Sequence, residues 1–234
     1  MNDRQNLTIN ETFDLAVQYH QNNNLQDAQN YYQKVLTLDP NHADAHNNLG
    51  VIFYGFGEHQ KAKECCEKAI AIDPNYADAH NNLGGVFKEL KENQKAKDYY
   101  EKAIAINPTY ANAHNNLGAV FFELKENQKA KECYQKAISI DPNYANAHNN
   151  LGAVFSQLKE NQKAIDCYEK AIELKPNYQS ALINRGKILF NKGEFKLSLI
   201  DFDNCNNFDS RSWALISLYA LGHIDEIYKR IEEN

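Results

Sequence analysis

The asparagine and histidine side chains that recur along this 234-residue chain are its most promising groups for chemistry. The letters AHNNLG stand at residues 45–50, 79–84, 113–118 and 147–152, so each copy follows the last after 34 residues. An asparagine amide carries two N–H donors and an oxygen acceptor, which match the acceptor and the donor of a peptide unit. A regular row of such amides is therefore suited to holding an extended backbone with little regard for its side chains.

The histidines of this motif raise the question of a metal site, but their spacing argues against one. Zinc needs its ligand nitrogens about 2.0–2.1 Å from one ion, whereas these histidines are separated by a whole repeat. We therefore interpret them as rings packed between helices and predict no metal and no other cofactor. The histidines concerned are His46, His80, His114 and His148.

Signals for catalysis are also missing from the sequence. The chain contains no glycine-rich phosphate loop, no regularly spaced cysteine pairs and no serine on a strand-turn-helix elbow. The histidines and carboxylates are numerous, but the repeat explains their positions. We therefore predict that the chain is not an enzyme.

The elements that must position the copied side chains are helices. Each 34-residue block contains two apolar stretches of helical period separated by a polar break. The chain's five prolines stand near the ends of blocks, where they cannot continue the preceding helix. Asn41 and Asp44 have the spacing of an N-cap followed by an acidic first turn. A short helical hairpin cannot bury its own apolar stripe, so the hairpins are predicted to stack in an all-α array.

The period sets the predicted domain organisation. Residues 1–8 form an N-terminal extension, and six repeats follow at 9–42, 43–76, 77–110, 111–144, 145–178 and 179–212. Residues 213–234 are predicted to form a shortened capping hairpin, with helices at 213–221 and 224–231. Its charged residues would solvate the open end of the stack.

The residues shared by the four middle blocks resemble the tetratricopeptide repeat. In the third block they are Leu83, Gly84, Phe87, Ala96, Tyr100, Ala103 and Pro108. The resemblance implies a right-handed superhelical α-solenoid of stacked helix-turn-helix hairpins, in which the first helices line the concave side. It also implies that the tyrosine of the second helix is a packing residue.

Two features depart from the pattern of that family. The sixth block has Arg185, Ser198 and Ser210 in place of leucine, alanine and proline. The turn inside each middle block has a lysine in place of the usual glycine. A lysine held there at positive φ would be strained by on the order of 1 kcal/mol. These lysines are Lys91, Lys125 and Lys159.

The asparagines of the motif are predicted to face a groove. On a helical wheel Asn47 and Asn48 lie opposite Leu49 and Phe53, so neither is predicted to be a core residue. The second asparagine of each block is similar to the asparagine ladder with which the tetratricopeptide region of O-linked N-acetylglucosamine transferase holds peptides. That resemblance assigns peptide binding to Asn48, Asn82, Asn116, Asn150 and Asn184. Neighbouring groove positions are Asp44, Asp78, Asn112, Asn146, Glu89 and Glu123. The alternative is that the asparagines only solvate a groove and reflect recent copying of one block.

Composition limits the partners. The formal net charge is -6 and the sequence pI is about 5.8, which disfavours nucleic acid, so a neutral to basic protein or peptide is the expected partner. No leader-like start and no apolar run of about 18 residues is present, so a cytoplasmic protein without a membrane partner is predicted. The five cysteines are expected to be reduced.

The sequence therefore predicts an interaction scaffold that binds an extended peptide or a partner helix in its concave groove. Two alternatives stay open at this point. In the first, the chain would be the substrate-recognition arm of a larger enzyme, for example a glycosyltransferase. In the second, it would be a structural array that self-associates through its repeat ends.

Overall fold

The computed structural model describes residues 7–205 and 208–232, with the side chains of residues 208, 228, 231 and 232 left aside. Within these ranges the chain is all-α, with fourteen helices and no strand. Consecutive helices pair as hairpins, for example α1 with α2, α3 with α4 and α5 with α6. The helices are α1 Ile9–Gln21, α2 Leu25–Leu38, α3 Ala43–Gly55, α4 His59–Ile72, α5 Ala77–Glu89, α6 Asn93–Ile106, α7 Ala111–Glu123, α8 Asn127–Ile140, α9 Ala145–Gln157, α10 Asn161–Leu174, α11 Gln179–Asn191, α12 Phe195–Asp203, α13 Phe208–Ala220 and α14 Ile224–Glu232.

The chain divides into two compact units, one ending at Val120 and the other beginning at Phe121. Within the first unit each hairpin packs on the next, through contacts of α2 with α3 and of α4 with α5. Within the second unit α8 packs on α9, α10 on α11 and α12 on α13. The predicted stacking of hairpins is thus confirmed inside each unit.

One aromatic ring from the second helix occupies the centre of most hairpins, as the resemblance implied. These rings are buried, and those of Tyr100, Tyr168 and Phe202 each lie against a glycine of the first helix. A Cβ atom at Gly84 would lie only 2.8 Å from Cδ1 of Tyr100, so this close approach requires glycine. The rings at this position are Tyr32, Tyr100, Tyr134, Tyr168 and Phe202, while the second hairpin has the free, buried Cys66 instead.

The start of α3 differs from the prediction by one residue. His42, not Asn41, is the N-cap residue, and its ring accepts a hydrogen bond from the Ala45 N–H at 3.3 Å. Asn41 instead donates its backbone N–H to the Asp39 carboxylate at 3.0 Å. An aspartate that bonds to the backbone two residues on stabilises a turn, so Asn41 lies in that turn and the N-cap prediction is wrong there.

The last hairpin begins earlier than the sequence indicated. Helix α13 starts at Phe208, ahead of Trp213, so the boundary predicted at residue 212 falls inside this helix. Ser210 stands where the other blocks have proline, and its hydroxyl donates to the Cys205 carbonyl at 3.2 Å. Because no proline separates the two blocks, the pattern lacked the signal that marks the other boundaries. The turn after α13 contains Gly222 at φ +76°.

The lysines in the turns of the middle hairpins have the strained backbone that was predicted. Lys91, Lys125 and Lys159 have φ values of +62°, +64° and +60°. Gly57 and Gly193 reach φ values of +75° and +84° at the same kind of turn. The left-handed region is costly for a residue with a Cβ atom but not for glycine.

Replacing the three strained lysines by glycine is expected to raise the free energy of unfolding. Relief of strain exceeds the added chain entropy by roughly 0.5 kcal/mol per site, so the triple variant Lys91→Gly, Lys125→Gly and Lys159→Gly gains about 1.5 kcal/mol. Urea unfolding followed by circular dichroism measures the change. As a control, Lys136→Gly inside α8 is expected to cost about 1 kcal/mol. A triple variant that is less stable than the wild type would contradict the strain argument.

Candidate functional site

A stripe of polar and small side chains runs along the first helix of each hairpin in the first unit. In α5 it consists of Asp78, Asn82, Gly85 and Glu89, which are three or four residues apart and therefore share one helix face. Asn82 and Gly85 are half-buried, whereas Asp78 and Glu89 are exposed. The equivalent residues are Asp44, Asn48 and Val51 of α3, and Asn112, Asn116 and Ala119 of α7.

A recess of about 320 Å³ opens on this stripe. Three of the predicted site residues, Asn82, Asn116 and Glu89, line it together. Tyr54 of α3 lies on its wall and donates its hydroxyl to Oε1 of Glu89 at 3.4 Å. Burial, and then the nearby Glu89 carboxylate, raise the pKa of Tyr54, so its hydroxyl stays protonated at neutral pH.

The asparagine pairs are linked from one hairpin to the next by hydrogen bonds between amides. Nδ2 of Asn82 donates to Oδ1 of Asn47 at 2.9 Å, and Nδ2 of Asn116 donates to Oδ1 of Asn81 at 3.0 Å. Each bond joins the second asparagine of one motif to the first asparagine of the preceding motif. The helices α3, α5 and α7 are therefore connected through their side-chain amides.

Longer hydrogen bonds within each helix join these bonds into one continuous row of side-chain amides, which we call the amide chain. Nδ2 of Asn81 donates to Oδ1 of Asn82 at 3.4 Å, and Nδ2 of Asn47 donates to Oδ1 of Asn48 at 3.5 Å. Asn48 then donates to the Tyr32 hydroxyl at 3.2 Å. The amide chain is continuous from α7 to α2, and sequence analysis did not predict it.

The first asparagines of the motif are core residues, and the prediction that neither asparagine is buried is wrong for them. Asn47 is only 4% exposed, because the next hairpin covers the side of α3 that a single-helix wheel leaves open. Buried amides are tolerated when their hydrogen bonds are made. The amide chain supplies such bonds to the first asparagines of the first unit, whereas Oδ1 of Asn149 has no hydrogen-bond partner among the described residues. The buried first asparagines are Asn47, Asn81, Asn115 and Asn149.

The second asparagines of the first unit retain unused hydrogen-bonding capacity. Among the described residues, Asn82 uses one N–H toward Asn47 and one oxygen lone pair toward Asn81. Asn116 likewise donates to Asn81 and accepts from Asn115 at 3.4 Å. An asparagine has two N–H groups and two oxygen lone pairs, so one donor and one acceptor site remain on each half-buried amide.

Asp44 is less available than its exposure suggests. Its Oδ1 accepts a hydrogen bond from the Tyr76 hydroxyl at 2.6 Å. The same hydroxyl accepts a 3.4 Å bond from Nδ2 of Asn47. Burial, together with the hydrogen bond to Asp44, raises the pKa of Tyr76 well above its usual range. Asp44 therefore fixes Tyr76 beside the amide chain and keeps its other lone pairs for solvent or a ligand.

The remaining predicted site residues lie in the second unit. Asn150 is half-buried and accepts a 3.3 Å hydrogen bond from Asn149. Asn184 is half-buried and hydrogen-bonded to the Tyr168 hydroxyl, although burial raises the pKa of that hydroxyl more than this bond lowers it. Asn146 and Glu123 are exposed. The pairing of adjacent asparagines thus recurs in this unit.

Two of the four motif histidines, His46 and His80, are buried as predicted, whereas His114 and His148 are partly exposed. Nε2 of His46 lies 2.9 Å from the carbonyl oxygen of Pro40, so this nitrogen carries the proton and donates. Burial lowers the pKa of His46 more strongly than this hydrogen bond raises it. His80, His114 and His148 make the same contact with Pro74, Pro108 and Pro142. Within the described residues no group of three or more histidine, cysteine, aspartate or glutamate side chains is arranged to hold a metal ion.

Comparison with known families agrees with this geometry. Profiles described as tetratricopeptide repeat match residues 43–76, 76–143 and 109–177, and one described as TPR repeat matches residues 18–57. The chain belongs to the tetratricopeptide repeat family. This is the fold of a protein–protein interaction scaffold, and no helix among the described residues is long and apolar enough to cross a membrane.

Several solved tetratricopeptide structures are similar to this chain. pilF of Pseudomonas aeruginosa is 27% identical over 80% of this chain and 87% of its own, with a TM-score of 0.74. MamA is 30% identical over 69% of this chain and 94% of its own, with a TM-score of 0.59. YrrB, a TPR protein with an unusual peptide-binding site, is 21% identical over 82% of this chain and 97% of its own, with a TM-score of 0.59. At this identity the similarity shows the shared fold alone. No curated protein sequence matches the chain.

Proposed function

We propose that this tetratricopeptide protein is a non-catalytic scaffold that binds an extended peptide of a partner along the asparagine stripe of its first unit. The observation that carries the proposal is the unused donor and acceptor on Asn82 and Asn116, both of which line the recess. Those groups match the C=O and N–H of a peptide unit. At about 0.5–1.5 kcal/mol per hydrogen bond, several contacts in register are needed for a useful affinity.

The amide chain prepares these asparagines for binding. An amide free to rotate loses side-chain entropy when it is fixed by a ligand. Asn82 is already oriented by its bonds with Asn81 and Asn47, so its unused groups point in defined directions before a peptide arrives. The internal bonds therefore support peptide binding, although they use half of each amide.

The charge around the stripe favours a neutral or basic peptide. Asp78 and Glu89 are exposed on the same face of α5, and Asp44 lies at the equivalent position of α3. Lys88 is the cation at the edge of the recess. With a formal net charge of -6 on the whole chain, an acidic peptide would be repelled at long range.

Removing the stripe amides tests the proposal. The ladder variant Asn48→Ala, Asn82→Ala and Asn116→Ala is expected to bind peptides selected on an array at least about tenfold more weakly, since it loses up to three rungs of hydrogen bonds. The loss is expected to be similar for peptides of unrelated sequence, because the main chain is recognised. Fluorescence anisotropy with labelled peptides measures the affinities.

Folding must be separated from binding in this test, because Asn82 also bonds to the buried Asn47. Affinities are therefore compared at a temperature where circular dichroism shows both proteins fully folded. Asn30→Ala, an exposed change on the second helix α2 and outside the stripe, is the matched control and is expected to leave affinity unchanged. A folded ladder variant that keeps wild-type affinity for every peptide would exclude this mode of binding.

A further inference from the structure

The second hairpin lacks the central ring that five other hairpins carry. Its position holds Cys66, which is fully buried and lines the recess. The next hairpin has a second local departure, Gly85, where the equivalent residues are Val51, Ala119 and Ala153. Gly85 also lines the recess. Two positions at which this chain has an unusually small side chain, Cys66 and Gly85, therefore line the same recess.

The repeat shows where a ring at position 66 would reach. The Tyr100 hydroxyl lies 3.7 Å from the position of a Cβ atom on Gly85, which is the equivalent of Val51. In the first hairpin the Tyr32 hydroxyl accepts a hydrogen bond from Asn48 of the next hairpin. By the 34-residue period, a hydroxyl from position 66 would lie beside Val51 and Asn82, both on the wall of the recess. Asn82 lacks the phenol partner that Asn48 has.

We infer that this recess binds an aromatic side chain of the partner peptide, with tyrosine preferred, in place of the ring that Cys66 omits. The inference rests on the proposed peptide binding and names the side chain that the peptide contributes. Val51, Gly85 and Val86 supply an apolar lining, and the Tyr54 ring is placed for aromatic contact. Asn82 has an unused donor and acceptor for the tyrosine hydroxyl. The volume of about 320 Å³ is in the range of small-ligand pockets.

The buried lining of the recess disfavours a charged side chain. Burial raises the pKa of Cys66 to about 12, so its thiol is neutral at physiological pH. Glu89 is exposed and accepts a hydrogen bond from the Tyr54 hydroxyl. The other buried residues that line the recess are uncharged, namely Gly50, Asn81, Val86 and Tyr100. A lysine or arginine head group would lose its hydration there without a buried counter-charge.

The inference is tested by replacing Cys66 with tyrosine, so that the recess is filled by the ring that other hairpins carry at this position. The probe is N-acetyl-tyrosine amide, titrated into the wild type, Cys66→Tyr and the control Cys66→Ala, with binding followed by ¹H–¹⁵N NMR. Wild type and Cys66→Ala are expected to show saturable shifts at Asn82 and Gly85, and Cys66→Tyr is expected to bind at least about tenfold more weakly. Circular dichroism checks that Cys66→Tyr is folded. The inference is overturned if Cys66→Tyr binds the probe as the wild type does, if wild type shows no such shifts, or if N-acetyl-arginine amide binds more tightly.

Matched peptides separate this inference from the proposed function. A peptide with tyrosine at the anchoring position is expected to bind the wild type about tenfold more tightly than its alanine counterpart, and Cys66→Tyr is expected to lose that difference. If the ladder variant keeps wild-type peptide affinity while the probe still occupies the recess, backbone recognition fails and the aromatic site stands. If the tyrosine preference persists in Cys66→Tyr, the aromatic site fails and backbone recognition is unaffected.

Discussion

Replacing Arg185 by leucine, the residue that the four preceding blocks carry at this position, is expected to lower the free energy of unfolding by about 3 kcal/mol. Arg185 donates from Nε to Oδ2 of Asp201 at 2.9 Å and from Nη2 to Oδ1 at 2.6 Å. The Asp201 side chain is only 1% exposed. Without the guanidinium a buried carboxylate is left unpaired, and that cost outweighs any gain from an apolar side chain.

A compensating change is expected to remove this loss. Asp201 stands where the preceding block has Cys167, so the double variant Arg185→Leu with Asp201→Cys restores the pair of residues found there. Replacing both members of a buried ion pair by apolar groups is often neutral or stabilising. Urea unfolding of the wild type, both single variants and the double variant gives the coupling energy. Single-variant losses that simply add in the double variant would contradict the paired role.

Replacing Asn47 by leucine is expected to cost about 2 kcal/mol of stability, because it breaks the amide chain at a buried position. Oδ1 of Asn47 accepts from Asn82 at 2.9 Å, and Nδ2 donates to Asn48 and to the Tyr76 hydroxyl. Leucine has a similar size but offers neither donor nor acceptor, so Asn82 loses its partner. Thermal and urea unfolding measure the change.

The same substitution at an exposed asparagine provides the control. Asn112→Leu on α7 changes a side chain that faces solvent, so its effect is expected to stay within about 0.5 kcal/mol. If Asn47→Leu is as stable as Asn112→Leu, the amide chain contributes nothing to the stack. The positions of the buried asparagines would then accept apolar residues without loss of stability, and the recurrence of asparagine there would need another explanation.

The sequence predicted the fold because the signals of the repeat are local. A 34-residue period, a proline near the block end and a glycine facing the aromatic ring, as Gly84 faces Tyr100, together define a stacked hairpin. The left-handed backbone of Lys91 was predictable for the same reason, since the turn has a fixed geometry. Such features depend on neighbours close in the chain.

The errors concern contacts between elements. A wheel for α3 alone places Asn47 opposite the apolar face, but the stack buries it between hairpins. Arg185 was interpreted only as a departure from the leucine of the repeat. Asp201 on the next helix also departs from the repeat, and its carboxylate forms an ion pair with Arg185. Reading equivalent positions of both helices together would have revealed that pair. The departure of Ser198 has a comparable partner, since its hydroxyl lies 3.3 Å from that of Ser217 in the core.

Of the residues that line the recess, the sequence predicted Asn82, Asn116 and Glu89 as site residues but not Tyr54 or Cys66. It also did not predict how the amides are bonded. The spacing of Asn82 and Glu89 was sufficient to place them on one side of α5. The bond from Asn82 to Asn47 depends on the distance between hairpins, which no single block encodes. The recess likewise requires Cys66 and Gly85 from different hairpins, so it emerges only when the hairpins are stacked.

Backbone recognition is tested most directly by a peptide with one N-methylated amide at the residue that faces Asn82. The modified and unmodified peptides are each titrated into the wild type and into the folded ladder variant. We expect N-methylation to weaken binding to the wild type by about tenfold and to leave the affinity for the ladder variant unchanged. An equal effect of N-methylation on both proteins would show that the asparagine amides do not contact the peptide main chain.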